Sequence, residues 1–154
     1  MILVFGGAYQ GKLDYVKENF DIETVCDCTD GSEPDFSADV IYGIEGFVMK
    51  CARQNAESED QADRADAAQP DYQEAKDWFA KRKAEWSGSG ESCNESGAES
   101  GEKILIMTDT SQGVVPIDKT VRAFREMNGR LMLYLAREAR QVVRVFCGIG
   151  KVMK

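Results

Sequence analysis

The chain contains no histidine. That removes imidazole bases, imidazole metal ligands and histidine-based covalent catalysis together. Basic residues are also scarce relative to acidic ones, 19 Lys and Arg against 27 Asp and Glu, for a net charge of −8 and a pI near 4.7. Such a balance argues against non-specific binding to nucleic acid or to anionic membrane. No apolar run approaches the roughly 18 to 20 residues that a membrane-spanning helix needs. The opening MILVFGG has neither a basic segment nor a signal-type apolar core, so the sequence reads as a soluble cytoplasmic protein. Its five cysteines are odd in number and scattered, which argues against a disulfide framework. Cys26-Asp27-Cys28 could bind a soft metal, but it is read as two thiols at a strand end, since no second close pair completes a tetrahedral metal site.

What is present suffices for one domain: 154 residues, 43% of them hydrophobic. Residues 1–5 form an apolar run ending in Gly-Gly and read as a buried strand. Leu13, Val16 and Phe20 fall at helical spacing over 13–20. Residues 22–26 alternate and suit a second strand, and 40–42 continue the sheet before a helix starting near Glu45. Residues 53–69 are polar and acidic, and suit a helix extension or a loop. The sequence predicts a helix over 71–86 with Tyr72, Ala75, Trp78, Phe79 and Trp86 on its packed face. A flexible acidic Gly/Ser-rich insert follows over 87–102. Residues 103–109 read as a buried strand, and 118–140 as a long helix with Val121, Phe124, Leu131 and Leu135 on its apolar stripe. A strand, a Gly148–Gly150 turn and a short final strand or tail close the chain. This alternation argues for an α/β three-layer fold with a mainly parallel sheet, spanning 1–154 as a single domain. In such sheets ligands sit beyond the carboxyl ends of the strands, where the 6–12 loop, 42–45 and 108–109 all fall.

The first strand runs into Gly6-Gly7-Ala8-Tyr9-Gln10-Gly11-Lys12. This has the G-x-x-x-x-G-K spacing of a phosphate-binding loop, whose glycines allow backbone amides to converge on an anion. The following helix N-terminus adds partial positive charge, and Lys12 would meet the outer phosphates. The next position ordinarily holds a hydroxyl that ligates Mg²⁺; here it is Leu13. One missing ligand weakens metal positioning, and with it transfer chemistry, more than it weakens phosphate binding.

Two regions carry a resemblance. One is the opening ILVFGGAYQGK. The other comprises Gly113-Val114-Val115-Pro116, Arg122-Ala123-Phe124-Arg125-Glu126, Gly129 and Gly148-Ile149-Gly150 near Lys154. Together they resemble the adenosylcobinamide kinase / adenosylcobinamide-phosphate guanylyltransferase family, while the middle of the chain aligns poorly. The resemblance implies a P-loop (RecA-like) fold, often homo-oligomeric, that binds ATP or GTP with Mg²⁺ and takes a corrinoid, adenosylcobinamide, as acceptor. Two activities are implied: phosphorylation of the corrinoid's alcohol arm, and GMP transfer through a covalent histidine. The second has no histidine to use here. The family's strand-end Asp falls on Tyr42, leaving Glu45, one turn on, as a candidate metal-facing acid or a helix-start glutamate. Asp109 is the candidate for a water-mediated Mg²⁺ contact, or a turn-forming aspartate. With Lys12 it makes the candidate catalytic pair. Three readings stay open: a kinase without the guanylyl step, a degenerate nucleotide- or corrinoid-binding homologue, and a purely structural protein that binds a protein partner.

Overall fold

The computed structural model describes residues 1–59 and 102–154. The helix expected over 71–86, and the Gly/Ser-rich insert apart from Glu102, lie outside the described residues.

Five strands run parallel and a sixth antiparallel. They are β1 (Ile2–Gly6), β2 (Val25–Asp27), β3 (Val40–Tyr42), β4 (Ile104–Thr108), β5 (Gln141–Phe146) and β6 (Ile149–Val152), in the spatial order β2-β3-β4-β1-β5-β6. Three helices flank them among the described residues: α1 (Lys12–Asn19), α2 (Ile44–Glu59) and α3 (Lys119–Glu138). β4 lies between β1 and β3, pairing parallel to each. This is the α/β P-loop arrangement of RecA-like type expected from the sequence.

Strand alternation explains the layers. Successive side chains point to opposite faces, so Leu3 joins one core cluster while Ile2 and Val4 join the other. The first cluster sets Leu3, Ile41, Leu105 and Val142 against Ile44 and Val48 of α2 and Phe124, Met127, Leu131 and Leu135 of α3. The second sets Ile2, Val4, Ile104, Ile106 and Val143 against Val16 of α1. Both faces are covered, which is why β1 and β4 read as unbroken apolar runs rather than alternating ones.

Three local expectations shift, and one open alternative is decided in part. The second strand begins at Val25 rather than residue 22, because the Asp39 carboxylate takes the Glu23 and Thr24 amides and pairing starts only at Val25 opposite Val40. The closing turn centres on Cys147 and Gly148, both at positive φ, while Gly150 lies inside β6 opposite Val145. On α3, Val121 is only half-buried, whereas Met127 and Asn128 lie in the interior. The polar stretch after residue 53 continues α2 as far as Glu59.

Gly6 marks the tightest crossing in the sheet: a Cβ there would lie 2.2 Å from the Val145 carbonyl oxygen of β5. Gly6→Ala must therefore move backbone, and is expected to cost about 2 kcal/mol or more, within the range of overpacked cores, read as a lower urea midpoint at unchanged slope. Asp39 gives a pH signature. Its carboxyl pKa is lowered from 3.8 to about 2, first by the Thr24 hydroxyl, then by the Thr24 and Glu23 amides and Lys103. A depressed carboxylate contributes stability that is complete above the unfolded value and disappears as pH falls through the folded one. The wild type should therefore lose stability between about pH 4 and pH 2, and Asp39→Asn should flatten that limb of a pH-dependent melting curve.

Candidate functional site

Three neighbouring strands bring the expected residues to one edge. Gly6 ends β1, Tyr42 ends β3 and Thr108 ends β4. The loops beyond them are stitched together by the Gly43 amide on the Ile106 carbonyl (3.2 Å) and the Asp109 amide on the Gly6 carbonyl (2.8 Å).

The loop from Gly7 to Gly11 is open. Tyr9 and Gly11 take positive φ, at 57° and 74°, a region in which glycine rests easily and tyrosine does not. The first main-chain amide to donate within this segment is that of Tyr15, to the Gly11 carbonyl. Ala8 and Tyr9 form a turn, but among the described residues no acceptor meets the amides of Ala8 through Asp14 at hydrogen-bond distance and angle. Gln10 anchors the loop from outside: its Oε1 accepts from the Cys147 amide (2.7 Å), and its carbonyl oxygen accepts from the Gly148 amide (2.9 Å). Lys12 turns inward. It is 5% exposed, and its ammonium donates to the Gly7 carbonyl at 2.7 Å. Burial pushes the Lys12 pKa down, and the Glu45 carboxylate opposes that shift. A concave run of free amides with a lysine ammonium over it matches the chemistry of a phosphate group.

The opposite side is less well furnished for a metal. Leu13 and Tyr42 both pack against the second apolar cluster. The Tyr42 phenol is pushed above its ordinary pKa, chiefly by burial and then by Glu45, so it stays neutral. Glu45 has a buried Oε2 with no hydrogen-bond partner. Asp109 forms a turn, with Oδ1 accepting from the Ser111 amide (2.9 Å) and hydroxyl (2.5 Å). Burial pulls its pKa upward, but the Ser111 and Gln112 hydrogen bonds and Arg144 outweigh that and leave it lowered. Among the described residues, no group of three or more His, Cys, Asp or Glu gathers as a metal cluster.

One contributor escapes the sequence pattern. Asn128 is fully buried, and its Nδ2 donates to the Thr108 carbonyl (3.1 Å) and the Thr110 hydroxyl (2.9 Å). It thereby fixes both neighbours of Asp109. Its position on the buried face of α3, beside Phe124 and Leu131, was the available signal; a polar residue on an apolar stripe marks a specific partner.

The profile of the cobinamide kinase / cobinamide phosphate guanyltransferase family matches residues 66–153. The chain belongs to this family. No curated protein matches the chain. The family match starts within the middle segment expected to align poorly and includes β4, α3, β5 and β6. It does not reach the 6–13 loop, whose reading therefore rests on geometry. Within the matched region the structure gives the Arg122–Arg125 motif a physical role. Arg122 donates to the Pro116 carbonyl (3.0 Å) and the Ile117 carbonyl. Arg125 donates to those of Val114 (2.7 Å) and Ser111 (2.6 Å). Phe124 between them enters the core. The two guanidinium groups hold the 111–117 loop against α3 and leave Val114, Val115 and Ile117 outward-facing.

The Glu45 carboxylate opposes the effect of burial on the Lys12 charge. Glu45→Gln is therefore expected to lower the Lys12 pKa further, which an NMR titration of the lysine ¹³Cε resonance would read; an unmoved or raised value contradicts the pairing.

Proposed function

We propose that this protein is a nucleoside-triphosphate-dependent kinase of the cobinamide kinase type. It phosphorylates a cobinamide-type alcohol with ATP or GTP and lacks the histidine-dependent guanylyl step. The observation carrying this reading is the run of amides from Ala8 to Asp14 without acceptors, closed on one side by the inward Lys12 ammonium. The residues Gly6 to Leu13 would line the phosphates: amides of Ala8, Tyr9, Gln10, Gly11 and Lys12 would hold oxygens, and Lys12 would exchange its bond to the Gly7 carbonyl for one to an outer phosphate. Phosphoryl transfer asks mostly for positioning and charge neutralisation, and these are what the loop supplies.

The donor set does not fit a Mg²⁺ ligated in the ordinary way. Leu13 offers no oxygen, Tyr42 offers a neutral phenol, and the first carboxylate oxygen of Asp109 is taken by Ser111. Mg²⁺ carried on a triphosphate neutralises phosphate charge and would meet Glu45 and Asp109 through water. The site is thus proposed as one with weakened metal dependence, in which Lys12 offsets one unit of phosphate charge, the loop amides hold phosphate oxygens, and Asp109 and Glu45 position what metal there is.

The second reading, a homologue that binds nucleotide or corrinoid without turnover, is favoured by the same two residues. Leu13 and Tyr42 replace, in apolar packing, the positions that ordinarily face the metal. Calorimetric titration with ATP and GTP, with and without Mg²⁺, separates binding from chemistry. Lys12→Ala is expected to weaken nucleotide binding at least tenfold, the order expected for losing one charge-assisted contact of about 1.5–3 kcal/mol. Wild type should transfer phosphate to adenosylcobinamide, and Leu13→Ser should speed the transfer and restore its Mg²⁺ dependence. Binding with no phosphorylated corrinoid in either variant supports the second reading instead.

A further inference from the structure

On the adjoining edge of the sheet, β2 carries the Cys26-Asp27-Cys28 sequence. Period-two alternation sends both thiols to one face, and the Sγ atoms stand 3.7 Å apart. Cys28 is fully buried and Cys26 half-buried, against the apolar cluster that includes Phe36, Ile41, Ile44 and Val48. Both are free thiols. The Asp35 amide donates to Cys26 Sγ at 3.3 Å. A strand end in extended conformation thus presents two preset sulfur ligands with an apolar wall behind them.

The ligand count selects the cation. Hard cations need about six oxygens. Zinc needs four ligands, and two thiolates at the usual zinc–sulfur distance of roughly 2.3 Å stand about 3.8 Å apart at a tetrahedral angle. The sulfur spacing suits chelation, yet no third His, Cys, Asp or Glu joins the pair as a metal cluster among the described residues. Soft thiolates favour copper(I), which accepts low coordination in apolar surroundings. We propose that Cys26 and Cys28 form a two-thiolate chelating site for a soft monovalent d¹⁰ cation of the copper(I) class. Each thiol surrenders its proton to solvent as the metal–sulfur bonds form, so one cation entering releases two protons and leaves a bis-thiolate complex of charge −1. The site touches the β3 end that carries Tyr42. The Cys28 amide donates to the Tyr42 carbonyl (2.8 Å), and a Cβ on Gly46 would lie 2.2 Å from the Cys28 carbonyl oxygen.

The test is an anaerobic titration of the full chain with copper(I) against a chromophoric chelator. A Cys51→Ser, Cys93→Ser, Cys147→Ser background isolates the pair. That background is expected to take one equivalent of copper(I) from the chelator and none of zinc(II), and the further change Cys26→Ser should abolish uptake. Undiminished uptake after Cys26→Ser, failure of the background to compete, or equal competition for zinc(II) overturns the proposal. Should Cys26→Ser not fold, alkylation of the native chain decides. Copper(I) should protect Cys26 from iodoacetamide while Cys147 still reacts, and equal labelling of Cys26 with and without metal overturns it.

Discussion

Gln10 ties the loop between β1 and α1 to the other end of the chain. Its side chain and its carbonyl each accept an amide from the β5–β6 turn. Unpaired amides are costly when buried and tolerable when they face a ligand or solvent. Everything else at this edge depends on that arrangement. Lys12 can reach back to the Gly7 carbonyl only because the loop arches over it, and Asp109 reaches the site because its amide is bound to the Gly6 carbonyl where the arch begins. The turn that latches the loop is itself held in positive φ at Cys147 and Gly148. The hairpin at one edge of the sheet is therefore tied to the 6–12 loop, and its Arg144 helps to lower the Asp109 pKa.

The opposite flank has changed character together. Leu13 and Tyr42, which come from different elements, pack against one apolar cluster. A hydroxyl or carboxylate in either place would then face a partly apolar wall, and burying an unpaired polar group costs on the order of 1–3 kcal/mol. Glu45 keeps a buried oxygen without a hydrogen-bond partner among the described residues, and its charge acts on Lys12. Electrostatics at the site is thus carried mainly by one lysine and one glutamate across the loop, with Asp109 turned into its own Asx-type turn by Ser111. Membership of the cobinamide kinase / cobinamide phosphate guanyltransferase family fits this pattern on the corrinoid and nucleotide side. The absence of histidine bears on the guanylyl side.

The 111–117 loop illustrates how a motif can be recognisable before its purpose is. Arg122 and Arg125 enter the sequence reading only as part of the motif that carries the family resemblance. In the folded chain they are struts: five N–H donors in a fixed fork match a row of carbonyls that a short, exposed, proline-containing loop cannot bond internally. Asn128 performs the same service from within the core, where its two donated bonds offset part of the cost of its burial.

Local patterning determined the element order, the parallel sheet and the loop between β1 and α1, because apolar periodicity and the Gly6–Lys12 spacing act over a few residues. It placed Tyr42 and Asp109 at strand ends for the same reason. It did not place the start of β2, since Asp39, fifteen or sixteen residues away, decides it by capturing the amides of Glu23 and Thr24. Nor did it show the Gln10 latch, whose partners lie 137 residues along the chain, the two sulfurs meeting at the end of β2, or Glu45 acting on Lys12. Those contacts arise only when the strand order β2-β3-β4-β1-β5-β6 sets remote segments side by side. Short-range sterics wrote the elements, and long-range packing chose which of their polar groups would meet.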